Sequence, residues 1–229
     1  MRCTCTLTSV TLLAFARIMT AVLKSVGMLA VVAVLASCAP QLNQYNADRY
    51  YDLGLEKEFS GDYAGAREAF RRALINAKSG KAQPSYVSAV LYNLGRMHGY
   101  TCDFESSDRL IVESLFAERA LESPDPANIT KRLSELARLS FDRQYFEQST
   151  KYYSEVIPML EKLGVLEDDP VGYAYFLEGY SNALERLGST GAASEVYDRA
   201  KSLRTDNSGI TAKFIPLEYR DVCSGSAAL

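Results

Sequence analysis

The chain has 229 residues, 48% apolar and 23% charged, with a net charge of −3, a globular balance that excludes collagen-like, disordered and disulfide-dense scaffolds. The charge is unevenly placed: before Cys38 there are only Arg2, Arg17 and Lys24, and the remainder carries 22 basic against 28 acidic side chains. An acidic body argues against a nucleic-acid partner, which needs a basic face, and no window after residue 38 has the roughly 18 unbroken apolar residues of a spanning helix.

The first 37 residues read as a secretory signal. Lys24 precedes "SVGMLAVVAVLAS", Ser25 to Ser37, which is a basic charge, a short apolar run and small residues at its end. The run closes on "LASC", Leu35 to Cys38, which resembles the lipobox of bacterial lipoproteins: an aliphatic residue, two small residues, then the cysteine that carries lipid. Small side chains suit a peptidase that cuts within the membrane, and a free thiol is needed to accept the diacylglycerol. The resemblance implies cleavage before Cys38 and a covalent lipid there, with no other cofactor. Each buried CH₂ contributes about 0.8 kcal/mol, so several chains anchor a protein effectively permanently. An ordinary signal peptide or anchor with a chance cysteine is the alternative. Ala39 follows the cysteine, not the Asp that favours inner-membrane retention in enterobacterial relatives; the implied address is the outer membrane, facing the periplasm. A second apolar patch precedes Arg17, so Met19 is an alternative start that would leave out Cys3 and Cys5.

A polar stretch, 38–48, reads as a lipidated tether. Then comes "YYDLGLEKEFSGDYAGAREAFRRAL", Tyr50 to Leu74. Tyr50, Leu53, Gly54, Gly61, Asp62, Tyr63, Ala66, Phe70 and Ala73 stand where the tetratricopeptide repeat (TPR) family has its large residue, Leu-Gly step, Gly-Asp-Tyr turn and Ala-aromatic-Ala series, and the segment resembles that family. The pattern has a packing logic: small residues let two antiparallel helices approach, Phe70 fills the groove between them, and spacings of three and four put the apolar residues on one face. The step recurs at Leu94-Gly95, Leu136-Ala137 and Tyr180-Ser181, at intervals of 41, 42 and 44 residues. Ala193, Tyr197 and Ala200 repeat the Ala66, Phe70, Ala73 series, whereas Ser107 and Ser149 replace Ala66 in the middle copies. Pro84, Pro126 and Pro170 mark helix starts in the same phase.

The expected fold is therefore all-α, a right-handed superhelical solenoid of about four TPR-like helix pairs with a period near 42 residues, longer than the common 34. The pairs are expected at 45–59 and 63–78, 84–100 and 104–121, 126–142 and 146–163, and 169–187 and 190–204, within a repeat domain of 49–205. In the tail, 206–229, Phe214, Ile215 and Leu217 are expected to cover the exposed end of the last repeat.

In TPR stacks the first helix of each pair lines the concave face. Carried over, this gives a partner-binding groove of Tyr51, Leu55 and Glu58, then Tyr92, Arg96 and Tyr100, then Lys131 and Arg138, then Tyr175, Asn182 and Arg186. Tyr and Arg are favoured contact residues. The Lys and Asn pattern of carboxylate-clamping TPR proteins is not reproduced. Cys102 and Cys223 are left to pair in an oxidising compartment if their Cα atoms come within about 7 Å, or to stay free or bridge two molecules. His98 is the only histidine, so a His-based metal site or relay is not expected, and the phosphate-loop, serine-elbow and zinc-protease motifs do not occur. The expectation is an envelope protein that binds another protein or peptide segment and is not an enzyme, with no metal and no nucleic acid. A hydrolase or accessory subunit acting on peptidoglycan or polysaccharide through surface carboxylates, and a self-assembling structural protein, are the alternatives.

Overall fold

The computed structural model describes residues 39–225, so Cys38 and the signal segment lie outside the described residues. Among the described residues there are helices and no strands. They run α1 (39–59), α2 (Tyr63–Ser79), α3 (Pro84–Tyr100), α4 (Phe104–Arg119), α5 (Pro126–Asp142), α6 (Phe146–Lys162), α7 (Val165–Asp168), α8 (Pro170–Arg186), α9 (Thr190–Asp206) and α10 (Tyr219–Cys223). Four antiparallel pairs follow one another: α1 with α2, α3 with α4, α5 with α6, α8 with α9. Each pair also packs on the next through α2 and α3, α4 and α5, α6 and α8.

The period is written in the backbone. Each of the four turns within a pair places one residue in the left-handed region: Gly61 (φ 78°), Cys102 (φ 65°), Gln144 (φ 63°) and Gly188 (φ 86°). Glycine adopts this conformation without a Cβ penalty; Cys102 and Gln144 do so with one. The residue after the turn is the N-cap, and the Asp62 and Asp103 carboxylates accept from the N–H groups of Gly65 and Ser106. Such caps are each worth about 1 kcal/mol. Pro84, Pro126 and Pro170 open α3, α5 and α8, where their missing N–H has no helical partner to lose.

The core runs along the stack. Ala66, Ser107, Ser149 and Ala193 occupy equivalent first-turn positions on the second helices, and all four are buried. Ser149 donates to the Ala137 carbonyl at 2.8 Å, whereas the Ser107 hydroxyl is buried with no hydrogen-bond partner. Phe70, fully buried, lies edge-on to Tyr51 with centroids 5.5 Å apart. Tyr197, its sequence counterpart, is 52% exposed, because among the described residues no further helix pair packs on α9.

Two segments depart from expectation. The stretch read as a tether, 39–48, is helical and continuous with α1. Ala47 is buried and Gln44 donates to the Gly80 carbonyl at 2.8 Å, so the early turns pack on the end of α2 and are not free. The tail touches the last repeat at Asp169, the start of α8, but does not cap that repeat's outer end. After α9 it turns back along the first helices of the pairs and ends beside the turn of the second repeat. Phe214, Ile215 and Leu217 stay exposed at 58%, 57% and 39%, because the tail is held by main-chain contacts and by residues further along.

Candidate concave groove

The groove is built on α1, α3, α5 and α8, and one alternating ladder of charges runs through it. Glu58 meets Arg96 at 2.7 Å, Arg96 meets Glu135 at 3.4 Å, Glu135 meets Arg138 at 3.4 Å and Arg138 meets Glu218 of the tail at 3.6 Å. The ladder lies among tyrosine rings. Arg96 stands 5.6 and 5.7 Å from the centroids of Tyr92 and Tyr100, and Arg138 stands 5.4 Å from that of Tyr219. Burial opposes the charge on Glu135, but Arg138 and Arg96 outweigh it and hold its carboxyl below the ordinary value. The Tyr92 phenol is pushed well up, first by burial and then by Glu135. The carboxylate and guanidinium groups are thus kept ionised and the phenol neutral, a fixed polar floor in a largely dry setting.

The tail lies on this floor. The Asp169 carboxylate, N-cap of α8, also accepts from the main-chain N–H of Lys213 and Phe214 at 3.1 and 3.2 Å. The Leu217 carbonyl accepts from Arg138 and, at 3.4 Å, from Tyr100. Tyr219 is fully buried, lies tilted against the Tyr100 ring with centroids 4.7 Å apart, and donates to Glu135 at 2.6 Å. A Cβ at Gly99 would stand 2.4 Å from its ring, so glycine is what allows the aromatic in. Arg220 donates its N–H to Asp142 at 3.2 Å. At the end a disulfide joins Cys223 to Cys102, with Cα atoms 5.7 Å apart across 121 residues of sequence.

Between tail and groove remains a cavity of about 450 Å³, lined by Tyr92, Arg96, Lys131, Arg138, Phe176 and Phe214 among others. A smaller one of about 130 Å³ lies beyond Arg138, against Tyr175, Asn182 and Glu218. The fold thus gathers Tyr92, Arg96, Lys131 and Arg138 in one place, with Tyr175 and Asn182 alongside, while Tyr100 is covered by Tyr219. Glu58 joins through Arg96. The rest lie outside both cavities: Tyr51 packs between Phe70 and Tyr86 and receives an Asn93 hydrogen bond at 2.9 Å, Leu55 is exposed, and the Arg186 guanidinium stands over the Phe146 ring. A larger depression, about 1150 Å³, lies on the turn edge around Arg143, Phe146 and Tyr180, but no buried charge lines it, so the groove is the candidate site.

Sequence reasoning missed Glu135, Asp169 and Tyr219. Glu135 carried a signal, since it lies three residues before Arg138 and on a helix face that is otherwise buried. It also missed a second polar centre between repeats. Arg132 and Glu118, both 2% exposed, pair at 3.1 Å; Arg132 donates to Ser88 and Ser114, and Ser88 donates to Glu118. Among the described residues no group of three His, Cys, Asp or Glu side chains could hold a metal, and no helix is long and apolar enough to cross a membrane.

Successive helix pairs with a polar concave face define a TPR-like solenoid, and solved structures agree. The chain matches BtubC (BKLC) from P. vanneervenii with a TM-score of 0.65 at 17% identity, covering 75% of this chain and 68% of that one. It matches a Podosopora anserina kinesin light chain with nearly identical TPR-like repeats at a TM-score of 0.57 and 14% identity, covering 72% and 77%. At these identities the likeness is one of fold. No family model matches the chain, nor does any curated protein by sequence.

Proposed function

We propose that this protein is a lipid-anchored scaffold of the bacterial envelope whose concave groove binds an extended segment of another protein, and that it binds rather than catalyses. One observation carries the reading: the groove already holds a segment without helix or strand, residues 210–218, several of whose main-chain groups are received by Asp169, Arg138 and Tyr100. A surface that receives backbone groups in this way is suited to a peptide. The Cys102–Cys223 bridge supports an oxidising compartment, since such bonds persist outside the cytosol.

The lipid would be carried by Cys38, on the resemblance of Leu35 to Cys38 to a lipobox, and Ala39 favours the outer membrane, facing the periplasm. The helix is already formed at residue 39, so an anchored Cys38 would hold the stack close against the bilayer. Confinement to a surface raises effective concentration, and a modest affinity then suffices. Metabolic labelling with a palmitate analogue should mark the wild type, which should fractionate with outer membrane; Cys38→Ala should lose both label and membrane. Equal labelling of the two overturns the anchor.

A further inference from the structure

We propose that residues 213–223 are an exchangeable stand-in for the partner, locked in the groove by the Cys102–Cys223 disulfide, and that reduction of this bond opens the groove to an extended partner segment carrying an acidic residue followed by tyrosine. The inference rests on the reading that the groove binds a protein segment, and names what that segment looks like and what admits it.

The tail is held as a bound peptide is held. Residues 210–218 have no helix or strand. Their N–H and C=O groups are received by Asp169, Arg138 and Tyr100, while Phe214 and Ile215 remain more than half exposed. Pro216 beside them is buried, but a segment serving only as a structural cover would bury Phe214 and Ile215 as well. Lys213 pairs with Asp168 at the exposed surface and the exposed Arg220 pairs with Asp142, and the more buried specific contacts come at Glu218-Tyr219: Glu218 faces Arg138 and Tyr219 fills the slot over Gly99 to reach Glu135. An incoming segment must reproduce that pair and present a carbonyl two residues before the tyrosine.

The lock is accessible. Cys102 is exposed at the tip of its turn. A dithiol reductant would open it by exchange: one thiolate attacks a cystine sulfur, its second thiol resolves the mixed disulfide, and the chain leaves with two thiols while the reductant becomes a disulfide. Two electrons and two protons pass from reductant to protein. With the bridge closed, the tail competes at the effective concentration of a short tether; with it open, the tether lengthens to the whole tail after α9 and that advantage falls.

The test uses the full chain, oxidised or treated with dithiothreitol, with a fluorescent peptide of residues 210–222 as probe. Hydrogen exchange in 213–223 should quicken by about tenfold or more on reduction while α3 and α5 keep their protection. The probe should bind the reduced chain and Cys223→Ser at least about tenfold more tightly than the oxidised chain, and lose binding when its tyrosine is alanine. Unchanged exchange after complete reduction, equal probe binding in both states, or loss of protection in α3 and α5 along with the tail overturns the proposal. A concentration-dependent dimer on reduction, with no probe binding, makes the occupant a second copy's tail and overturns the partner assignment. A tail that stays docked leaves the reading of the groove as a protein-binding face standing; a released tail with no protein trapped in cells removes that reading and leaves the lock.

Discussion

Tyr219 and Glu135, 84 residues apart in sequence, are joined by a 2.6 Å hydrogen bond in which both side chains are buried. The carboxylate is the centre of the groove's charge ladder, and the phenol that reaches it belongs to the tail. Tail docking and groove electrostatics are therefore one system, and changing either end disturbs the other.

Removing only the hydroxyl tests that coupling. Tyr219→Phe should cost about 1–3 kcal/mol, because a buried carboxylate loses a donor. Tyr219→Ala should cost about 3–5 kcal/mol, because a cavity is added. Urea denaturation of the oxidised chain measures both. An unchanged midpoint for Tyr219→Ala would contradict a docked tail.

The Arg132–Glu118 centre gives a separate prediction. Arg132→Met leaves Glu118 buried without its cation and should cost about 3–5 kcal/mol. The double variant Arg132→Met with Glu118→Leu should recover most of that loss, because a buried pair replaced by apolar groups is often nearly neutral. If the double variant is no more stable than the single one, Ser88 and Ser114 contribute more than the ion pair does.

Asp142 sets a pH dependence. Burial and then the nearby Glu218 push its carboxyl up from 3.8 to about 6. The folded chain therefore prefers the protonated form, so this group's contribution to stability is full below pH 3.8 and is lost as pH rises through about 6. Asp142→Asn keeps an acceptor for the Arg220 N–H and removes the charge. The variant should be more stable than wild type at pH 8, with the gap closing by pH 4; thermal melts at the two pH values compare them. A constant gap contradicts the assignment.

Ala66 tests the repeat phase. It is fully buried in the first turn of α2, where an unpaired charge is costly. Ala66→Glu should unfold the first pair and lower the melting temperature by several degrees, whereas Ala64→Glu, on the exposed face of the same turn, should leave it nearly unchanged.

Much of the solenoid was readable in the sequence because its signals are local. Pro84, Pro126 and Pro170 start helices by removing an N–H, and the Gly61-Asp62 turn combines a residue free of Cβ with an N-cap. The helix pairs fall within a few residues of where these place them, except at α1, whose early turns are set by contacts to Gly80 and not by local propensity. The turns at Cys102 and Gln144 carry no such mark, since neither residue type favours a left-handed backbone; the repeat imposes it. The groove was half legible. Arg96 and Arg138 follow from helix phase, but phase says nothing about what lies over them. That depends on contacts of Tyr219 and Cys223 with residues more than 80 positions away, where periodicity carries no information. Phe214, Ile215 and Leu217 looked like a cover because they are apolar, yet the tail is anchored by main-chain hydrogen bonds, by the buried Pro216 and Tyr219, and by the disulfide.

Binding of an envelope protein by the concave face is open to direct test in intact cells. A photo-crosslinking residue at Lys131, exposed on the rim of the 450 Å³ cavity, should trap one discrete protein in intact cells, and the same probe at Lys201, exposed on α9, should not. Trapping of glycan alone, of this chain alone, or of the same proteins from both positions contradicts it.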